Sequence, residues 1–305
     1  MATTSRTSSI PPCKACQDRP PLTIDFSMAF QPIIDVRSRG VFAYEALVRG
    51  LDGSGAAHIL GQVNDDNRYQ FDQACRVKAV RLAAQLGMGC HVSINFLPNA
   101  VYEPAACIRT TLEAAQQHQF PTDRLIFEIT ENERVVDKEH LKRILEEYRR
   151  RGFKTAIDDF GAGYSGLNLL AEFQPDIIKL DMELVRHIDT NPVRHAIVQG
   201  ILGVCKALSI EVIAEGVETL AEYRTLRALG IHYFQGFCLP SPRLSNCPPS
   251  TGLRTEAARA SASATARRPL GCGRWFWRGT APGRCAAAAW SCIRPAAMHL
   301  RPKIA

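Results

Sequence analysis

Only five residues, "VRSRG" (36–40), separate the first two strand-like runs of this chain, whereas every later pair of runs is separated by a helical pattern. The eight runs are "MAFQPIID", "VFAYEAL", "HVSINFL", "LIFEIT", "KTAIDDF", "IIKLDM", "EVIAEG" and "HYFQGF", all rich in β-branched or aromatic residues. A parallel crossover needs roughly a dozen residues or more, so five allow only a hairpin. Helical patterns near 67–87, 104–119, 137–151, 165–173, 192–208 and 219–229 fill the later gaps. The third places Leu141, Ile144, Leu145 and Tyr148 on one face, and the last opens on the capping-box pattern Thr219-x-x-Glu222. Eight strands alternating with helices predict a (β/α)8 TIM-like barrel with one antiparallel strand, with a doubly wound open sheet as the alternative.

Composition narrows the setting. Of 305 residues, 46% are hydrophobic, enough for a large core. The formal charge of +7 suggests nucleic acid until it is located. From Ala257 onward there are eight Arg, one Lys and no acid, which leaves residues 1–256 at net −2. No DNA partner is expected of such a body. No apolar run approaches the roughly 20 residues of a membrane span, and "MATTSRTSSIPP" has no signal core. The eleven cysteines are scattered, so the expected location is cytoplasmic. "CKAC" (Cys13, Cys16) has no second CxxC to complete a zinc site, and reads as reduced, exposed thiols, with a dimer-bridging zinc or disulfide as the alternative.

Active sites of such barrels lie at the carboxyl ends of the strands. Those ends carry Glu45, Asn95, Glu128, Asp158 with Asp159, Lys179, Glu215 and Gln235. One strand-end Asp or Asn is ordinarily a helix cap or a turn former. Seven consecutive strands ending in residues that ligate, titrate or donate point to a site. Four carboxylates and one amide oxygen drawn from this set, without His or Cys, suit Mg²⁺ or Mn²⁺ rather than zinc. Two ions per site, about 3.5–4 Å apart, would offset the adjacent aspartates and suit in-line attack on a phosphodiester.

The motifs "YEALVRG", "INF", "FEITEN", "IDDFGAGYSGL", "IKLD", "IAEGVE" and "YFQGF", in this order over residues 22 to 237, resemble the EAL-domain family of cyclic di-GMP phosphodiesterases. The resemblance implies hydrolysis of cyclic di-GMP to linear 5′-pGpG. It implies metal ligands at Glu45, Asn95, Glu128, Asp158 and Asp159, and catalytic roles for Lys179, Glu215 and Gln235. Gln31, Leu47 and Arg49 fall where the family contacts substrate. Glu131, Gly161 and Gly163 match the loop that couples the metal site to a homodimer interface. The rival is a regulatory module that binds cyclic di-GMP and acts through a partner contact; a Schiff-base aldolase using Lys179 leaves the many acids unexplained. The expected organisation is a flexible segment at 1–21, the EAL domain at 22–245 and an atypical basic tail at 246–305. That tail, which holds Trp275, Trp277 and Trp290, departs from the family pattern. It reads as translation in a shifted frame from near Cys238, as a disordered basic appendage, or as a membrane- or RNA-touching arm with aromatic anchors.

Overall fold

The computed structural model describes residues 22–131, 137–163 and 166–236 of the 305. The segment 1–21 with its two cysteines, the tail, and the boundary expected at 245 lie outside the described residues. Eight strands close into a barrel in sequence order: β1 (Phe26–Asp35), β2 (Gly40–Gly50), β3 (His91–Asn95), β4 (Leu125–Thr130), β5 (Lys154–Phe160), β6 (Ile177–Leu180), β7 (Glu211–Ala214) and β8 (Tyr233–Phe234). β1 pairs antiparallel with both β2 and β8, and every other pairing is parallel. The short hairpin connection therefore has the consequence expected of it.

Nine α-helices are described outside the sheet: α1 (Ala56–Leu60), α2 (Arg68–Gln85), α3 (Pro104–Cys107), α4 (Arg109–Gln117), α5 (Lys138–Arg150), α6 (Gly166–Glu172), α7 (Met182–Val185), α8 (Pro192–Leu208) and α9 (Leu220–Ala228). The helix expected over 104–119 is split in two at Ile108, and α1 and α7 are short additions to the expected pattern. Side-chain caps set the starts of α5, α8 and α9. Asp137 caps α5 by accepting from the His140 amide at 3.0 Å. Asn191 caps α8 through the Val193 and Arg194 amides, with Pro192 in the first turn where its missing N–H costs nothing. The Thr219–Glu222 capping box forms at α9. In α5 the buried residues include Leu141, Ile144, Leu145 and Tyr148, the apolar face read from the sequence.

The period of two along each strand creates two inner layers. Ile33, Ala43, Ile126, Ala156, Ile177, Ile213 and Tyr233 form an apolar plug inside the barrel. One pleat further toward the carboxyl end of the parallel strands, the same inward face carries Glu45, Glu128, Asp158, Lys179, Glu215 and Gln235. The outward-facing alternates, such as Val92, Ile94, Phe127, Ile129, Ile178 and Leu180, pack in the larger core that includes the helices. The plug closes the barrel beneath a ring of charge.

Candidate metal and catalytic centre

Lys179 occupies the middle of that ring at 1% exposure. Its Nζ lies 2.8 Å from Glu215 Oε1, 2.9 Å from Asp158 Oδ1, 3.1 Å from Glu128 Oε2 and 3.2 Å from Glu45 Oε2. Burial alone would lower the lysine pKa, but the surrounding carboxylates hold it well above its ordinary value. Glu45 is fixed from two further sides: Gln235 Nε2 donates to its Oε2 at 2.7 Å and Asn95 Nδ2 to its Oε1 at 3.1 Å. Burial raises the Glu45 pKa, yet Lys179 and these donors bring it below the usual carboxylate range.

The other acids move the opposite way. Burial, with Glu45 and Asp158 nearby, pushes Glu128 up to about 8 despite Lys179. Burial followed by the Asp158 charge pushes Asp159 up to about 6. Asp158 and Glu215 are also raised, chiefly by burial. One ammonium thus faces five carboxylates, and such a cluster gains from further positive charge.

β5 positions the paired aspartates by an irregularity. Successive strand residues normally face opposite sides. Here the β5–β6 register shifts between Ile157 and Phe160, and Asp159 takes the left-handed conformation at φ +54°. Asp tolerates that region better than most residues. Both carboxylates consequently reach the barrel mouth. Two triads result, Glu45–Glu128–Asp158 and Asp158–Asp159–Glu215, each with oxygens within 4.8 Å of one another and with Asp158 common to both. The donor set fits hard divalent cations, and Gln235 Oε1 is a buried acceptor left without a hydrogen-bond donor among the described residues.

Glu131, immediately after β4, ties this mouth to the next loop. Its amide donates to the Asp158 carbonyl at 2.9 Å. Its carboxylate accepts from the Gly161 and Gly166 amides, each at 2.7 Å. Gly161 has φ +98°, and a Cβ on Gly166 would meet the Phe160 ring at 2.9 Å, so both positions call for glycine. Gly163 lies on the same loop, just before residues 164 and 165, which are outside the described set.

Gln31 pairs in register with Glu45, while Leu47 and Arg49 follow Glu45 at two-residue steps on the same face of β2. All three are half-buried, and Arg49 Nη1 donates to the Val48 carbonyl at 2.7 Å. One expectation needs correcting. Glu45 does not end its strand; β2 continues to Gly50, paired with β1, although its pairing with β3 stops at Ala46. Sequence reading also missed Ser93. It is fully buried and donates its hydroxyl to Glu128. The inward alternation Ser93, Asn95 along β3 was the signal for it.

A closed (β/α)8 barrel with an acidic, lysine-centred mouth able to hold divalent cations is the class of protein these features define. Within that class, the chain belongs to the EAL domain family, whose model matches residues 21–242. It is 56% identical to a standalone versatile EAL protein from Vibrio cholerae solved with c-di-GMP, over 70% of this chain and 91% of that one, with a TM-score of 0.69. BlrP1 of Klebsiella pneumoniae, solved as a manganese/cy-diGMP complex, is 38% identical over 70% of this chain and 54% of its own, with a TM-score of 0.66. Among curated proteins, the Escherichia coli antirepressor BluF is 34% identical, covering 74% of this chain and 56% of BluF. The probable cyclic di-GMP phosphodiesterase PdeD of E. coli is 28% identical over 72% of this chain and 42% of PdeD. The chain thus spans about half the length of these curated relatives.

Proposed function

We propose that the protein hydrolyses one phosphodiester of cyclic di-GMP to give linear 5′-pGpG, using Mg²⁺ or Mn²⁺. The observation that carries this reading is the pair of carboxylate triads sharing Asp158 around a buried lysine. A receptor needs charge complementarity to its ligand, but not two adjoining hard-oxygen sites.

In this reading Glu45, Asn95, Glu128 and Asp158 hold one ion, and Asp158 with Asp159 holds the second. Bound divalent ions supply positive charge that polarises the phosphodiester and makes water a better nucleophile at neutral pH. Glu215 accepts a proton from the attacking water, and Lys179 orients that water and balances the local charge. Gln235 keeps Glu45 in place. Arg49 pairs with a phosphate oxygen, and Gln31 and Leu47 position the nucleotide. We place the functional unit at 22–245, acting as a cytoplasmic homodimer in which Glu131, Gly161 and Gly163 couple the loop to the partner subunit.

BluF is named an antirepressor, which favours one second reading: cyclic di-GMP binding converted into a partner contact without hydrolysis. One assay separates the two. Purified protein is incubated with cyclic di-GMP and Mg²⁺, Mn²⁺ or Ca²⁺, and the nucleotides are resolved by chromatography. The enzyme forms 5′-pGpG with Mg²⁺ or Mn²⁺ and far less with Ca²⁺. Binding in all three ions with no product in any would select the binding module.

A further inference from the structure

Behind the β3–β4 wall, on the side away from the barrel interior, α2 carries a buried ion pair with no role in the proposed hydrolysis. Asp72 and Arg76 are 2% and 0% exposed and bond directly to each other. Arg76 Nη1 also donates to Tyr148 Oη at 3.2 Å, while its Nε has no hydrogen-bond partner among the described residues. Such a pair is weak evidence for stability, because desolvating both charges offsets much of their attraction. An apolar pair of similar volume would fill the same space. What an apolar pair could not do is accept a hydrogen bond.

Asp72 accepts one that matters. Its Oδ1 takes the Leu97 amide at 2.9 Å, two residues beyond Asn95 and just before the Pro98–Ala100 turn. Within that exit from β3, Asn95 donates to Glu45 and the Phe96 amide donates to the Glu128 carbonyl at 3.0 Å. The Tyr148 ring packs against Phe96 and Phe127, with centroids 5.4 and 4.7 Å apart. Those two aromatics are the sequence neighbours of Asn95 and Glu128. The network therefore grips the backbone on the outer side of two strands whose inner side carries two of the oxygen donors.

We infer that Asp72, held in rotamer by Arg76, is a positioning residue. By fixing the Leu97 amide it sets the height and rotation of Asn95 against Glu45, and so the affinity of the first cation site. The inference rests on the proposed metal centre. Outer residues that orient ligands typically alter metal affinity by about 10–100-fold when replaced.

The test compares two charge-free double variants, so that neither leaves a lone buried charge. D72N/R76M keeps an oxygen facing the Leu97 amide, whereas D72L/R76M removes it. Mn²⁺ binding is measured by water-proton relaxation without nucleotide, and the fold by circular dichroism and urea midpoint. D72N/R76M is expected to bind Mn²⁺ within about threefold of wild type. D72L/R76M, folded, is expected to bind about tenfold or more weakly. Equal affinity in folded D72L/R76M, or equal loss in both doubles, would overturn the inference alone. A wild type that binds no Mn²⁺ would overturn the functional reading and this inference with it. Should D72L/R76M fail to fold, D72A/R76M takes its place: the same weakening is expected, and wild-type affinity would overturn the inference.

Discussion

Replacing Lys179 by Met keeps much of its volume and removes the one ammonium that contacts four carboxylates at 2.8–3.2 Å. At an effective dielectric of about 20, each contact is worth about 5–6 kcal/mol before desolvation is counted. Burying the ammonium and crowding the acids offset most of that sum. Removing one partner of a buried charge network typically costs about 3–5 kcal/mol. We expect that loss for K179M in EDTA at pH 8, read as a lower urea midpoint at unchanged slope. The sign of its pH dependence follows. Without the ammonium the clustered acids hold protons more tightly than in the unfolded chain, so the folded variant binds more protons and loses stability as pH rises. The gap to wild type should narrow by about 1.4 kcal/mol per unit for each extra proton as pH falls from 8 to 6. Saturating Mg²⁺ should narrow it too, because acids freed of the competing ammonium bind the cation more tightly than they do in wild type. Equal midpoints for K179M and wild type in EDTA at pH 8 would refute the reasoning, because the lysine would then not be offsetting the acids.

The loop clamp predicts that E131A lowers kcat roughly tenfold or more while KM moves by less than about threefold, since Glu131 bonds the loop amides and not the expected substrate face. Steady-state kinetics on cyclic di-GMP measure the split, and a pure KM effect would contradict it. D159N preserves the left-handed backbone that Asn tolerates but removes a charge from the proposed second cation site. Turnover should fall far more than nucleotide binding, which calorimetry in Ca²⁺ reads separately. Glu222 is buried, which raises its pKa, but amide bonds from His187, Glu218 and Thr219 bring it below the usual value. Its contribution of about 1–3 kcal/mol is present above the unfolded carboxylate pKa and is lost as pH falls through its lower folded value. E222Q should therefore trail wild type in urea midpoint at pH 7 and converge with it in acid.

The sequence made the barrel legible because its two periodicities never conflict. Ile126, Glu128 and Ala156, Asp158 alternate inward while Leu125, Phe127, Ile129 and Ile157 pack in the outer core, and the five-residue hairpin forces the one antiparallel strand. Strand ends were less legible. β2 runs on past Glu45 because its second partner, β1, continues to pair with it, and no local pattern announces where a neighbour stops. The hydroxyl of Ser93 likewise depends on what lies across the fold, since its partner Glu128 is on the next strand.

The adjacent aspartates mark where local rules stop being sufficient. A regular strand would have sent Asp158 inward and Asp159 into the apolar layer under the helices, where an unpaired carboxylate costs several kcal/mol, roughly. The chain avoids this by breaking its own period. The register slips at Asp158–Asp159, Asp159 turns left-handed, and Gly161 at φ +98° carries the backbone onward. The strain of a left-handed non-glycine residue is about 1–3 kcal/mol and persists only where the surroundings over-determine it. Here the restraints are visible: Glu131 bonds the Asp158 carbonyl on one side and the Gly161 amide on the other, spanning the distorted segment. The second triad therefore exists only because the strand is irregular, whereas the first would survive in an ideal barrel. The two proposed cation sites are thus built on different mechanical footings, one on the sheet and one on the loop. Movement of the loop that Glu131 holds should disturb the second site before the first, so that in the proposed enzyme turnover would fall before nucleotide binding does.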